Sequence, residues 1–523
     1  MHIDRPEQTE GYFRRRRLRI VAAAAALAAV AVATGGVAAS ESPVGSELSG
    51  GTLRVVERTE PNALSPLFAT PTEYRRTYQA IMEPFVFPNA DNSAPSTDGL
   101  AVGWEQVDDV TWHFTVREGV TFQNGEPLNA EAVVFSIVTS RDTEGSGLAP
   151  FMGFADAFAV DEYTVAVVTD TPDATVPARL GMLLLFAPAY YEEVGADEFF
   201  RAPVGTGPFQ FDSWTPGQQL VMTRFDGYWG QMASVDRIEI TWAPEASTRI
   251  AMLEAGDADL ITDLPPDATI GNGTVHNVVG GNLRLLRYSA LLPPFDDIRL
   301  RQAVAHSIDR DTINDAIFGA AYLPWYGIYP PGWSAGGGHE YLQYDPDRAR
   351  ALVEEYEAEN GALDSIELHW GTPGPARTDE VAEALAGMIE AGTGLTVVRS
   401  PQENANFTTE VRTHQMTGMM LLNFDVRYPH PDLYNRTSFT TTALTRYCND
   451  DPALDERIFA AAAITDQAEA DTEYNALENL WIVEKVCWSP LYEEAYTFAT
   501  AEGVEFTPRV DALVDWNLIQ IPS

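Results

Sequence analysis

Lysine is almost missing from this chain. Of 33 basic residues only Lys485 is a lysine, leaving 33 − 1 = 32 arginines, set against 76 aspartates and glutamates in 523 residues. The formal net charge is −43. That scarcity excludes several functions. A phosphate loop of the G-x-x-x-x-G-K-[ST] type cannot be built, because the single lysine lies in Val483-Glu484-Lys485-Val486. A Schiff-base lysine would have to be the same residue, beside Glu484 and with no sign of a pocket. A surface this acidic repels DNA and RNA, so no nucleic-acid partner is expected. Cysteine is nearly as scarce: Cys448 and Cys487 are too few for a four-cysteine zinc site. In an oxidising compartment they could pair, closing a loop of 38 intervening residues; two buried thiols in separate elements is the other reading. The eight histidines are scattered without metal-ligand spacing, so neither a metal nor another cofactor is expected.

What is present points to a folded chain: 45% of residues are apolar and 11% aromatic, and 523 residues suggest two to four domains. Arg14-Arg15-Arg16-Arg17-Leu18-Arg19 precedes an apolar run from Ile20 to Ala33 and then small residues through Ser40. A basic stretch, a short apolar run and small residues form an export signal, with cleavage expected near Ala39. The run is short for a membrane span of about 20 residues, although extension through Ala39 leaves a retained anchor open. Paired arginines leave both general and twin-arginine export open. No cysteine stands near the cut, so a lipoprotein is excluded. Residues 1–40 hold six arginines against Asp4, Glu7 and Glu10, so the exported part would carry −43 − 3 = −46.

Along the rest of the chain, strand and helix periods mix without repeats, which indicates an α/β protein of several lobes. Thr52 to Val56 reads as a buried strand, and Trp112, Phe114 and Val116 alternate with polar neighbours as in a half-buried one. Asn124-Gly125 marks a turn and Asn129 caps a helix carrying Val133, Val134 and Ile137. Tyr163 to Val168 is a strand, and Phe209 to Met222 a hairpin around Thr215-Pro216-Gly217-Gln218. Leu300, Val304 and Ile308 define a helix. Asp347–Tyr356 is helical until Gly361, and Asp379–Ala391 until Gly392. A further helix carries Tyr474, Leu477, Leu480 and Trp481; Val486–Tyr492 and Leu518–Ile521 return to strand.

Catalytic motifs are weak. Gly332-Trp333-Ser334-Ala335-Gly336 fits the G-x-S-x-G spacing, but Pro330-Pro331 before it and Gly337-Gly338 after it make a glycine-rich loop rather than a nucleophile elbow. His339-Glu340 begins like a zinc-protease motif without the second histidine. Adjacent acids such as Asp108-Asp109 and Asp450-Asp451 read as solvated turns in so acidic a chain. A binding protein is favoured over an enzyme; a secreted hydrolase or metalloenzyme is the rival class.

Four stretches, in register, resemble the extracellular solute-binding proteins of family 5, the oligopeptide, dipeptide and nickel group that serves ABC importers. They are Leu100–Ser136, with Trp112-His113-Phe114-Thr115-Val116-Arg117-Glu118-Gly119-Val120 and Asn124-Gly125-Glu126-Pro127 inside it; Pro203–Phe209 continuing to Tyr228-Trp229-Gly230 and Ala251–Asp259; Pro294–Ala303 with Ile308-Asp309-Arg310 and Pro330-Pro331-Gly332; and Tyr344–Ala349. The resemblance implies a periplasmic-binding-protein-like clamp (type II, cluster C) of three lobes, with mixed sheets covered by helices and a hinge between lobes I and III. Lobe I would be discontinuous, from 41–90, 204–287 and 490–523; lobe II, inserted, 91–203; lobe III, 288–489. Gly119, Gly125, Gly205 and Gly207 would set turns, and Asp296 and Asp309 would cap helices.

The same resemblance directs attention to the ligand. Family peptide binders hold the α-amino group with an aspartate in a loop similar to Asn423–Asp432; here Arg427 stands at that point and Asp425 two residues earlier. An arginine repels an ammonium and attracts a carboxylate or a hydroxyl-rich group, unless it pairs with a neighbouring acid. Arg377 falls near a position used for ligand carboxylates. Trp370, Trp325, Tyr326 and Tyr447 are candidates for stacking on a ligand, with core packing as their other reading. Ser289 replaces a frequent asparagine after Tyr288. His414 and His430 would be the contacts of a metal chelate. The expected function is capture of a small polar solute, foremost a short peptide, with an anionic, oligosaccharide or chelate solute as alternatives. Delivery would be to ABC permease subunits with their ATPases, by a periplasmic or extracellular monomer.

Overall fold

The computed structural model describes residues 50–68, 72–89, 94–329, 335–372, 374–375, 377–425, 430–443 and 445–522. The export signal and its basic cluster lie outside them. Among the described residues no helix is long and apolar enough to cross a membrane.

Two long strands organise the fold. Gly273–Tyr288 and Trp488–Ala501 run antiparallel from Gly273 opposite Ala501 to Arg287 opposite Trp488, with the register shifting between Val279 and Leu283 and again between Arg284 and Leu285. They sit in the middle of an eleven-stranded mixed sheet. On one side follow Leu260–Ile261, Thr52–Glu57, Arg237–Trp242 and the hairpin Gln219–Arg224 with Phe209–Thr215; on the other lie Met419–Asp425, Ser365–Thr372 and Thr396–Glu403. Strand Trp488–Ala501 is buried along nearly its whole length, so it reads as a continuous apolar run broken by Glu493 and Glu494. A separate four-stranded antiparallel sheet, Ala101–Asp108, Thr111–Val116, Thr164–Val168 and Asp156–Asp161, lies entirely within 101–168.

Local chemistry explains most elements. In Thr111–Val116, Trp112, Phe114 and Val116 are buried while Thr111, His113 and Thr115 are not, because successive side chains leave opposite faces of a strand. Helix Ala130–Asp142 starts where the Asn129 side chain accepts from the Ala132 amide at 3.1 Å. Helix Ile298–Ser307 packs Leu300 and Val304 against Leu385 and Ile389 of helix Thr378–Thr393 in a core that also holds Leu368 and Leu421. Each such fully buried side chain contributes about 1.5–3 kcal/mol. Asp309 caps the helix Arg310–Phe318, as expected.

Several expectations need correction. Asp297, not Asp296, caps the helix Ile298–Ser307, accepting from the Arg299 amide at 2.9 Å. Helix Thr378–Thr393 runs through Gly392 to a left-handed Gly394. Gly392 is there for packing: a Cβ would stand 2.6 Å from the Ser307 Cβ. Gly205 and Gly207 are likewise close-approach residues rather than turn formers, since a Cβ would meet the carbonyl oxygens of Ile81 at 2.2 Å and Ala80 at 2.4 Å. Residues Leu518–Ile521 form no strand; Trp516–Leu518 is a short 3-10 helix, followed by one bridge between Gln520 and Glu505.

Two interior features give measurable consequences. Cys448 and Cys487 are joined by a disulfide with their Cα atoms 5.6 Å apart, tying the loop before helix Pro452–Ala462 to the start of Trp488–Ala501. Replacing both by alanine is expected to lower the unfolding free energy by about 3–4 kcal/mol, the chain-entropy value for such a loop, in urea denaturation. Glu83 is buried, accepts from the Tyr228 hydroxyl at 2.7 Å and the Trp229 Nε1 at 2.8 Å, and burial pushes its carboxyl up to about 7. A raised carboxyl favours the protonated folded state, so its contribution is complete below about pH 4.5 and is lost as the pH rises through 7. Urea midpoints of the wild type should therefore carry a fall between pH 5 and 7 that is smaller in Glu83→Gln.

Candidate ligand-binding cleft

A cavity of about 1820 Å³, including its part open to solvent, lies against the two long strands. Asn282 and Arg287 reach it from one strand and Glu494, Ala495, Tyr496 and Thr497 from the other. One wall adds Arg58, Arg76, Asp263 and Leu264 near strands Thr52–Glu57 and Leu260–Ile261, with Pro150 and Phe151 from the 101–168 neighbourhood at its edge. The facing wall adds Phe407, Val411 and Arg412 from helix Asn404–Arg412, and Leu422 and Asn423 from strand Met419–Asp425.

Charge inside this space is arranged by burial. Arg76, 1% exposed, reaches Glu57 at 3.1 Å and Asp263 at 2.8 Å and also donates to Thr262. Burial works against ionisation of Asp263, but Arg76 and Arg58 outweigh it and bring the carboxyl down to about 2. Asp263 holds a left-handed backbone, with φ 56°. On the long strands, the buried Glu494 accepts from Asn282 at 2.9 Å and Asn423 at 2.7 Å, and Asn423 accepts from Arg284. Arg287 differs from all of these. It is 3% exposed, lies over the rings of Trp488 at 5.0 Å and Tyr447 at 5.9 Å, and burial lowers it to about 10, which leaves it charged at neutral pH.

Charged lining residues number four arginines (58, 76, 287 and 412) against Asp263 and Glu494, a balance of 4 − 2 = +2 among the described residues. The chain as a whole carries −43. The cavity thus reverses the sign of the protein around it.

Among the sequence-predicted site residues whose side chains are described, none lines this cleft. Arg427 lies outside the described residues, as does Ser334. Asp425 pairs with Asn282 at the end of strand Met419–Asp425, and its side chain is outside the description. Arg377 has φ 58° at the start of helix Thr378–Thr393; its guanidinium donates to the Ile317 carbonyl and pairs with Asp267 at 2.6 Å. Trp370 is buried in the core beside Leu368, its Nε1 donating to Asp379 at 2.6 Å. Trp325 is half-buried with its Nε1 on the Tyr329 carbonyl, and Tyr326 stacks on Tyr341 with Arg310 over its ring. Tyr447 is buried behind the cleft wall, donating to the Val411 carbonyl at 2.9 Å with the Arg287 guanidinium over its ring. His414 accepts from the Arg446 amide and His430 from the Asp432 amide, each against a tyrosine ring. Among the described residues no three His, Cys, Asp or Glu side chains are grouped to hold a metal ion.

The residues missed by sequence reasoning are Arg58, Asn282, Arg287, Asn423 and Glu494. A signal existed: Arg284 and Arg287 interrupt Leu283–Tyr288, and Glu493 and Glu494 interrupt the apolar strand paired with it. Charges in an otherwise apolar strand must face a partner or a cavity.

Known proteins share both sequence and shape with this chain. Residues 97–445 match the bacterial extracellular solute-binding proteins, family 5 middle region, about two thirds of the chain. The dipeptide-binding protein of Escherichia coli K12 is 28% identical over 400 residues, covering 68% of this chain and 72% of its own. Heme-binding protein A of Haemophilus influenzae is 30% identical over 304 residues, 51% of this chain and 55% of its own. In shape, the periplasmic binding protein DppA of Helicobacter pylori, solved with the peptide STSA, superposes with a TM-score of 0.79 at 20% identity, over 91% of this chain and 98% of that one. The mixed sheets and covering helices are therefore those of the type II periplasmic-binding-protein clamp. By the extent of the match and the agreement in fold, the chain belongs to the bacterial extracellular solute-binding proteins of family 5.

Proposed function

We propose that this protein is an exported substrate-binding component of an ABC importer, capturing a small polar solute, foremost a short peptide, in the cleft and passing it to the membrane permease. The observation that carries this reading is the cavity of about 1820 Å³, walled from both sides of the two long strands and lined by a few charged and amide side chains. Its size suits a short peptide with bridging water, and its charged and amide groups are of the kind that orient a ligand. The name of the Escherichia coli relative, a dipeptide-binding protein, and the peptide in the Helicobacter pylori structure favour the peptide class. In this reading the walls belong to lobes I and III, divided as 41–90, 204–287 and 490–523 against 288–489, and the signal is removed near Ala39.

Contacts across the cleft are of the kind a clamp makes when shut. Arg58 donates to the Gly374 carbonyl at 3.2 Å and Arg377 pairs with Asp267 at 2.6 Å. A solute shifts closure only through its differential affinity for the closed form, so it must touch both walls.

A thermal-shift screen against di- and tripeptides, neutral sugars and metal chelates tests the assignment. Stabilisation by peptides, and not by sugars or chelates, is expected; the reverse pattern rejects the peptide class. Asp267→Ala breaks a half-exposed pair, and since such pairs contribute at most about 1 kcal/mol, peptide affinity by calorimetry should fall no more than about fivefold. A larger loss would place Arg377 in ligand contact rather than at the clamp's edge.

A further inference from the structure

Eight arginines are buried among the described residues, and seven of them give at least one donor to oxygen or sulfur, with Arg284 Nε and Arg310 Nη1 left unmet. Arg76 and Arg179 face carboxylates; Arg249, Arg301 and Arg310 face backbone carbonyls. Arg75 reaches the Gly181 carbonyl and the Met182 sulfur, and Arg284 reaches Asn423 and Thr378. Arg287 is the exception. Its Nε and Nη1 have no hydrogen-bond partner among the described residues, and no aspartate or glutamate contributes to its ionisation. Among the described residues no carboxylate pairs with this buried cation, in a chain of 76 acidic side chains.

The packing around Arg287 explains how that arrangement is held. The Arg287 guanidinium carbon stands 5.0 Å over the ring of Trp488, its partner across the strand pair, and 5.9 Å over that of Tyr447, so attraction to the rings compensates part of its desolvation. Attraction to a ring uses the charge and takes no hydrogen bond, so the Nε and Nη1 donors stay unmet. The residue lines the cavity, on the wall with Leu422 and Val411, whose apolar surfaces offer a competing anion nothing. An N–H fork in an apolar setting matches a planar two-oxygen anion.

We propose that Arg287 is the anion-recognising residue of the cleft, receiving a carboxylate of the captured solute. This rests on the solute-binding reading above and narrows it: the ligand carries an acidic group, and its removal leaves the buried cation uncompensated. The +2 balance of the described lining residues favours the same class of ligand.

The experiment compares wild type and Arg287→Met, at neutral pH, by thermal shift and calorimetry with two matched pairs of probes: Ala-Glu with Ala-Gln, and Ala-Leu with its C-terminal amide. Wild type should prefer the acid in at least one pair, and the substitution should weaken that acid roughly tenfold to hundredfold while leaving its neutral counterpart within about twofold. Without ligand, Arg287→Met should melt no lower than wild type, because methionine fills the space between the rings without a buried charge. Equal binding of acid and neutral probes by wild type, or an acid preference that survives the substitution, overturns the Arg287 assignment and leaves the peptide reading intact. A ligand-free variant that melts below wild type also overturns it, by making Arg287 part of the wall's packing. Failure of all four probes to stabilise wild type overturns the peptide reading and this one with it.

Discussion

Burying a guanidinium without acceptors costs several kcal/mol, and this chain has little choice of other cations. With lysine reduced to Lys485, interior positive charge is arginine, whose five donors must be satisfied in a fixed plane. Much of the architecture follows from meeting that demand. Arg249 gathers the carbonyls of Ala243, Pro244, Thr262 and Asp263, and so fixes the bend after strand Leu260–Ile261 that carries Asp263 to the cleft. Arg301 does the same for Phe295, Asp296 and Lys485, anchoring the helix Ile298–Ser307 to the approach of strand Trp488–Ala501. Arg76 joins Glu57 to Asp263 and thereby two neighbouring strands. These are buried networks in which each charge is positioned by the others, so their value lies in geometry as much as in energy.

How far this was legible in the sequence depends on the distance between partners. Asn129 and Asp309 could be read as caps because the amide each one accepts from is three residues away. Trp112, Phe114 and Val116 announced a strand because alternation is local. The family resemblance reached further, since four motifs in order identify a fold that no single strand or helix does, and the match over residues 97–445 agrees with it. Gly392 misled for a physical reason: a glycine inside a helix looks like its end until the neighbouring Ser307 is seen against it.

The cleft was the least legible part. Glu494 meets Asn282 and Asn423 across 212 and 71 residues, and Arg287 meets Trp488 through a strand pairing that only the folded sheet defines. Aromatic residues drew attention because rings often stack on ligands, yet Trp370 spends its indole N–H on Asp379 and its area on the core. Arg377 drew attention by register, and the structure gives its charge to Asp267. Cations are informative here because they are rare: once each arginine is assigned its acceptor, those still uncommitted on the cavity wall become few.

The order of strands in the central sheet has a consequence for how the chain is made. Its middle position is filled by Trp488–Ala501, which pairs with Gly273–Tyr288 and with Leu260–Ile261, more than 200 residues upstream. Neither half of the sheet can be joined to the other until those last residues leave the ribosome, and contacts of such long sequence separation form slowly. The nascent chain therefore remains open, with its central seam unfilled, until synthesis is nearly complete.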